Sequence, residues 1–265
     1  KNKVEIKNMI NAHIEDGVAL TKFLYWIKNI KKLNLTEQQI EKKLENYRKQ
    51  NKNYLYPSFD TIAGSGPNGA IIHYRSSKQS NRKLNIKDLL LIDSGGQYKW
   101  GTTDVTRTIC FSKVTKYIKG LFTRVLKGHI AVALNKIEYD QVGHNIDKRA
   151  RQSLKNIGLN YKHGTGHGVG FFLNVHEGPQ SISKNNYINL EEGMILSNEP
   201  GYYLENRFGI RIENLVFVKK ISKSLCFENL TYAPIDKDLI DKDILTKSEK
   251  NYLFDYHLKT YSKIS

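Results

Sequence analysis

The stretch Leu89–Phe111, LLLIDSGGQYKWGTTDVTRTICF, decides how the rest of the chain is read. Leu89 to Asp93 is an apolar run, and Val105 to Phe111 is a second short run of β-type residues. A glycine-containing loop separates them, so the pattern predicts two strands of a hairpin. Asp93 ends the first strand and Asp104 begins the second, and a hairpin can bring the two carboxylates together. An acid at the end of a buried strand is costly unless it is paired or bound to a cation. Taken alone, either aspartate is more simply a turn residue accepting backbone N–H groups.

A second stretch repeats the theme. In LSNEPGYYLENRFGIRIENLVF, residues 196–217, Glu199 ends a strand at the Pro200-Gly201 turn. Glu213 lies inside an otherwise apolar strand. Period-two geometry puts Arg211 and Glu213 on one face and Ile210 and Ile212 on the other. An Arg211–Glu213 ion pair on a solvated face would explain this pair without any function. A third stretch, KHGTGHGVGFFLNVHEGP (162–179), gathers His163, His167 and His176 in a glycine-dense segment. Glycine lets a backbone pass close to a ligand or metal. The spacing is not HExxH and no cysteine pair is near, so the common zinc-protease and zinc-finger patterns do not apply.

The three stretches gain meaning together. Two hairpin-like segments each offer a carboxylate pair, and the glycine-rich segment offers imidazole. Such a hard, oxygen-rich set suits two adjacent divalent ions such as Mn²⁺, Co²⁺ or Zn²⁺. Four carboxylates converging without cations would repel one another and resist ionisation.

The rest of the chain reads as strands interleaved with helices, an α+β pattern. Apolar spacing predicts helices over 4–30, 117–134 and 144–154, with a second N-terminal helix after the Thr36/Gln39 capping box. Thr246 and Glu249 form another capping box, heading a C-terminal helix to Tyr261. Pro57 and Gly64-Ser65-Gly66-Pro67 read as turns, Ala70–Tyr74 as a short β-type run, and Leu225–Tyr232 as a further strand. His13, His129, His144 and His257 fall on or beside helices and read as packing or surface residues. Tyr202 and Tyr203 fit either the cleft or the core.

The segments SGPNGAIIHY (65–74), LIDSGGQYKWGTTDVTRT, VLKGHIAV (125–132), HGTGHGVGFFLNVHEGP, NEPGYY and FGIRIENLV resemble, in order and spacing, the catalytic domain of the X-prolyl aminopeptidase family of pita-bread metallopeptidases, in its eukaryotic cytosolic form. The likeness runs on through YAPIDKDLIDKDILTKSEKNYLFDYHL (232–258) and covers essentially the whole chain. It implies a pita-bread α+β fold, a curved and mainly antiparallel sheet flanked by helices. It implies a catalytic domain over 1–219, and a C-terminal extension over 220–265 packed on it and serving as a candidate dimer surface. The family's non-catalytic N-terminal domains would lie outside this chain, and the stretch 135–143 is short beside its relatives.

The resemblance further implies two divalent ions, Mn²⁺ first with Zn²⁺ or Co²⁺ as alternatives, held by Asp93, Asp104, His167, Glu199 and Glu213. Asp104 and Glu213 would bridge, Asp93 would complete one ion, and His167 with Glu199 the other. A hydroxide between the ions would attack the scissile carbonyl, with Glu199 accepting its proton. His73, His163 and His176 would contact the substrate, and Arg211 would be a site arginine. The implied reaction removes the N-terminal residue that precedes proline. An X-Pro bond has no N–H, so a pocket shaped for the pyrrolidine ring is needed. The alternatives are a prolidase on the same fold, cleaving Xaa-Pro dipeptides, and a non-catalytic pita-bread binding module.

Composition sets the outer bounds. The net charge of +16 and pI near 9.6 invite a nucleic-acid reading, but acids gathered into one constellation displace it. Two cysteines cannot build a disulfide scaffold, and together with the lack of an apolar run of membrane-spanning length they place the expectation in the cytoplasm. The resemblance implies as partners a peptide with proline second, the missing domains and a second copy of the chain, and composition adds neither nucleic acid nor membrane.

Overall fold

The computed structural model describes residues 1–137, 141–222 and 224–265. Residues 138–140, inside the stretch 135–143 singled out above, lie outside the described residues. The chain opens with α1 (Lys3–Lys28) and α2 (Glu37–Lys49), followed by β1 (Tyr54–Pro57), β2 (Ile62–Ser65), β3 (Leu89–Ser94), β4 (Gly96–Tyr98), β5 (Gly101–Thr102) and β6 (Val105–Cys110). Then come α3 (Lys116–Ala133), β7 (Lys136–Ile137), α4 (Gly143–Lys155), β8 (Gly166–His167) and β9 (Ser181–Ile182). The chain closes with β10 (Ile195–Asn198), β11 (Gly201–Leu204), β12 (Phe208–Arg211), β13 (Asn214–Ile221), β14 (Ser224–Asn229) and α5 (Lys247–Ile264).

All the strand pairs described are antiparallel, as in β2–β3–β6 and β10–β13–β14–β7. In β3, Leu90 and Ile92 alternate with Leu91 and Asp93. Leu90 and Ile92 join Leu20, Phe23, Ile40 and Leu44 under α1 and α2, so these helices cover one face of the first sheet. Asp93 is left on the opposite face. The second sheet is covered by α3 and α4, whose Val132, Ile146 and Ala150 pack on Leu196, Val216 and Val218. The caps read from the sequence form as expected, since Thr36 with Gln39 and Thr246 with Glu249 close reciprocal capping boxes.

Three local expectations are corrected. Gly64 and Ser65 do not turn the chain; they belong to β2 and pair with Leu91 and Leu90. Glycine is needed at 64 because a Cβ there would stand 2.7 Å from the Gly69 backbone, which folds back over the strand. Ala70–Tyr74 is not a strand. A 3₁₀ turn over Gly66–Ala70 leads into a tight bend in which Tyr74 N–H donates to the Ile71 carbonyl, and Ile71 is exposed. Glu213 is not inside a strand either, since it occupies the break between β12 and β13.

That break is held by Arg107, a buried residue of β6. Its guanidinium donates to the carbonyls of Glu213, Ala233 and Pro234 and to the Tyr256 hydroxyl of α5. The C-terminal helix thereby reaches the backbone beneath Glu213. Its Leu253 and Tyr256 are buried, while Phe254, Leu258 and Tyr261 remain exposed on its other side.

Candidate metal centre

Two strand pairs build the floor of one cleft. Asp93 faces Thr106 across the β3–β6 ladder, and Asp104 stands two residues before Thr106. Glu213 is docked on the same strand because its backbone N–H donates to the Thr106 carbonyl at 3.1 Å. Glu199 follows β10, with its N–H on the Thr165 carbonyl at 2.8 Å. His167 ends the short strand β8, whose Gly166 passes so close to β10 that a Cβ would lie 1.9 Å from the Ser197 carbonyl. Gly166 and Gly168 thus serve close backbone passage, and Gly164 and Gly166 also line the cleft. The result places His167 Nε2 3.3 Å from Asp104 Oδ2 and 3.5 Å from Glu199 Oε1.

Asp93, Asp104, His163, His167, His176, Glu199, Arg211, Glu213 and His73 all line a single cavity of about 450 Å³. Every site residue expected from the sequence therefore reaches one cleft. His73 enters on the loop after β2, and His176 packs edge-on against His167 with ring centroids 4.2 Å apart. Ligand atoms of Asp104, His167 and Glu213 come within 4.8 Å of one another, close enough to share a cation.

The tautomers follow from the neighbours. His167 Nδ1 faces the Gly168 carbonyl at 3.0 Å, which can only accept, so Nδ1 carries a proton and Nε2 is the nitrogen turned toward the carboxylates. His163 Nδ1 likewise faces the Gly164 carbonyl, and its Nε2 accepts the Tyr203 hydroxyl at 2.9 Å. Tyr203 in turn accepts from Arg211 Nη1 at 2.7 Å, and Arg211 Nη2 pairs with Asp93 Oδ2 at 2.7 Å. Arg211 therefore does not form the surface pair with Glu213 that its sequence position allowed. Both residues are buried, and Thr106 stands between them, accepting from Arg211 Nε at 3.1 Å and donating to Glu213 Oε2 at 2.7 Å.

Thr106, Tyr203 and Ser197 were not singled out from the sequence as site residues. Ser197 accepts the His167 backbone N–H and donates to Glu199 Oε1, so it ties two candidate ligands. A signal for Thr106 existed: it alternates in phase with the cleft face of its strand, two residues after Asp104. Tyr202 and Tyr203 separate, as neighbours on a strand must, with Tyr202 in the core and the Tyr203 hydroxyl turned to His163 and Arg211 behind the cleft wall.

The protonation energetics show a site short of positive charge. Burial, with the neighbouring carboxylate charges, pushes Glu213 well above the usual carboxylate range and Glu199 up to about 7. Asp93 is also raised, by burial first, despite Arg211. Burial lowers His167, but the Asp104 hydrogen bond and the Glu199 and Asp104 charges outweigh it and lift it to about 9. Burial and the Arg211 charge hold His163 down at about 3, so it is neutral. Asp93 Oδ1 is buried with no hydrogen-bond partner among the described residues. An orphaned carboxylate oxygen, four converging acids and an imidazole nitrogen turned toward them fit cations of divalent, oxygen-preferring character, which would take the place of the His167 Nε2 proton.

Comparison with known proteins agrees. The family model of metallopeptidase family M24 matches residues 7–220, and that of the family's C-terminal region matches 223–265. The chain belongs to metallopeptidase family M24. Among curated family members it is 45% identical to Xaa-Pro aminopeptidase 1 of Dictyostelium discoideum, over all of this chain and 44% of that protein. It is 46% identical to aminopeptidase P2 of Arabidopsis thaliana, over all of this chain and 39% of that one. The chain thus spans less than half the length of these family members. The solved X-prolyl aminopeptidase of Caenorhabditis elegans, a cytosolic enzyme with a di-nuclear active site, superposes with a TM-score of 0.94 at 38% identity, over all of this chain and 45% of that one. The α+β architecture expected from the sequence is therefore the pita-bread fold of family M24.

Proposed function

We propose that the full-length protein is a dinuclear-metal aminopeptidase that hydrolyses the bond between an N-terminal residue and a following proline. The observation that carries this reading is the convergence of Asp93, Asp104, His167, Glu199 and Glu213 on one cleft lined by three further histidines. These five would hold two divalent ions, Asp104 and Glu213 being shared, with Mn²⁺ the first candidate and Zn²⁺ or Co²⁺ the alternatives. Bound there, the ions would supply a water acidic enough to be a nucleophile near neutral pH.

The protein's own groups do the rest. Thr106 and Ser197 fix the carboxylates of Glu213 and Glu199 through hydrogen bonds at 2.7 Å and 3.0 Å. Glu199 would accept the proton of that water. His163, held neutral and oriented by Tyr203, joins His73 and His176 in lining the substrate site, where the N–H groups of His73 and His176 would stabilise carbonyl oxygens. Ile62, Ile72 and Val175 offer an apolar wall for a ring that has no N–H to satisfy.

On the same reading residues 1–219 form the catalytic unit, and 220–265 are an extension tied to it through Tyr256 and Arg107. The protein works in the cytoplasm and forms a homodimer through the exposed Phe254, Leu258 and Tyr261 of α5. Loss of the dimer in sedimentation of a chain ending before Thr246 would support that surface, and an unchanged mass ratio would refute it.

The deciding experiment supplies Arg-Pro-Pro and Arg-Pro to the full-length protein with saturating Mn²⁺. Release of arginine from the tripeptide alone is expected. Cleavage of the dipeptide alone would make the protein a prolidase, and an untouched tripeptide would remove the aminopeptidase reading.

A further inference from the structure

Glu37 is a carboxylate with no exposed surface, yet it lies outside the cleft. It is the first residue of α2, and its hydrogen-bond donors are neutral. Oε1 accepts the Ser65 N–H at 2.8 Å, and Oε2 accepts the Tyr74 hydroxyl at 2.7 Å and the Arg82 N–H at 2.9 Å. The Asn68 side-chain amide donates to both oxygens at 3.0 Å. These four donors belong to one loop, which leaves β2 at Ser65 and returns toward β3 after Arg82. One carboxylate therefore grips that loop at its start, its end and two points between.

The loop is long for a compact domain and has one 3₁₀ turn as its regular structure. It also forms a wall of the cleft and carries His73. Tyr74 is 3% exposed and turned to Glu37, while its neighbour His73 is exposed in the cleft. A second anchor comes one helical turn on, where Ser76 Oγ donates to Glu41 at 2.8 Å. The helix N-terminus and four donors suit an ionised carboxylate at position 37. An amide there would turn an NH₂ toward the Ser65 or the Arg82 backbone N–H, each of which can only donate.

We propose that Glu37 is a positioning residue: its carboxylate pins the 65–82 loop so that His73 is held against the cleft and the substrate is oriented. The proposal rests on the substrate-contacting role given to His73 above.

The test is a double-mutant cycle in the metal-loaded full-length protein, using Glu37→Gln, His73→Ala and the pair. Glu37→Gln should lower kcat/KM by about tenfold, the equivalent of one buried donor left unsatisfied. Bound metal should be unchanged. The pair should be no worse than His73→Ala alone, because both changes remove the same contact. Trypsin should cut Glu37→Gln several-fold faster after Arg75 and Lys78, both exposed on the loop. If Glu37→Gln fails to fold, Tyr74→Phe removes one of the four donors and should show the same pattern more weakly. Additive losses in the cycle would overturn the proposal, as would unchanged cleavage by trypsin. A His73→Ala enzyme of undiminished activity would instead refute the role of His73, and the proteolysis alone then decides whether Glu37 pins the loop.

Discussion

Asp93 divides its two oxygens between two tasks. Oδ2 is bound by Arg211, while Oδ1 is buried without a partner among the described residues and is free for a cation. Among the described residues no arginine pairs with Asp104, which meets His167 instead. Asp104→Ala should therefore remove bound metal and peptide cleavage together, and metal analysis showing undiminished content would refute the ligand assignment. A different residue sets part of the acid sensitivity. Burial, then the Arg107 charge, lowers His129 to about 3, while an unfolded chain would titrate near 6.5. Above 6.5 both states are neutral and the group is indifferent to pH. Below it the unfolded state takes a proton that the folded state refuses, so stability falls until about pH 3. That one group contributes up to ~1.4 kcal/mol per pH unit. His129→Gln can keep a donor for the Asn198 carbonyl without titrating. Urea midpoints at pH 7 and pH 5 should differ less in that variant, and an equal difference would exclude His129 as a source.

At the scale of elements, β8 and β10 show why a two-residue strand matters. Gly166 lets the two backbones approach, and this approach brings His167 beside Glu199. Gly166→Ala must part the strands, with an overpacking cost of ~1–3 kcal/mol or more. Its melting temperature and its metal affinity should both fall, and normal metal affinity at a lowered melting temperature would show that the approach serves stability alone. The helices were legible from periodicity and caps, because α1, α2, α3 and α5 each carry a continuous apolar face or a capping box. The loop from Gly66 to Arg82 was not legible. Its Ala70–Tyr74 run has β-type residues, but Glu37 and Asn68 hold it in a bend that no local propensity encodes.

The whole molecule gathers the four candidate ligand acids of a basic chain into one cavity, which Asp60 also lines, leaving a surface more positive than the net charge of +16 suggests. Their mutual repulsion is a destabilising load that cations would relieve. Chelation should lower the melting temperature, and restoring a divalent ion at about a hundred times its dissociation constant should return ~2.7 kcal/mol. A melting temperature indifferent to chelator and metal would contradict the site. Among the described residues no helix is long and apolar enough to cross a membrane.

Read by itself, the sequence determined the α+β class, the main helices and the central hairpin; acids at strand ends pointed to Asp93, Asp104 and Glu199, and the family resemblance completed the ligand set with His167 and Glu213. The sequence did so because periodicity and strand-end acids are local signals. The tertiary structure alone decided who pairs with whom. Arg211 turns from Glu213 to Asp93 because β6 places Thr106 between them, and Tyr203 joins His163 because its strand turns its hydroxyl toward the cleft residues. Those partners lie up to 118 residues apart in the chain, and only packing brings them into reach.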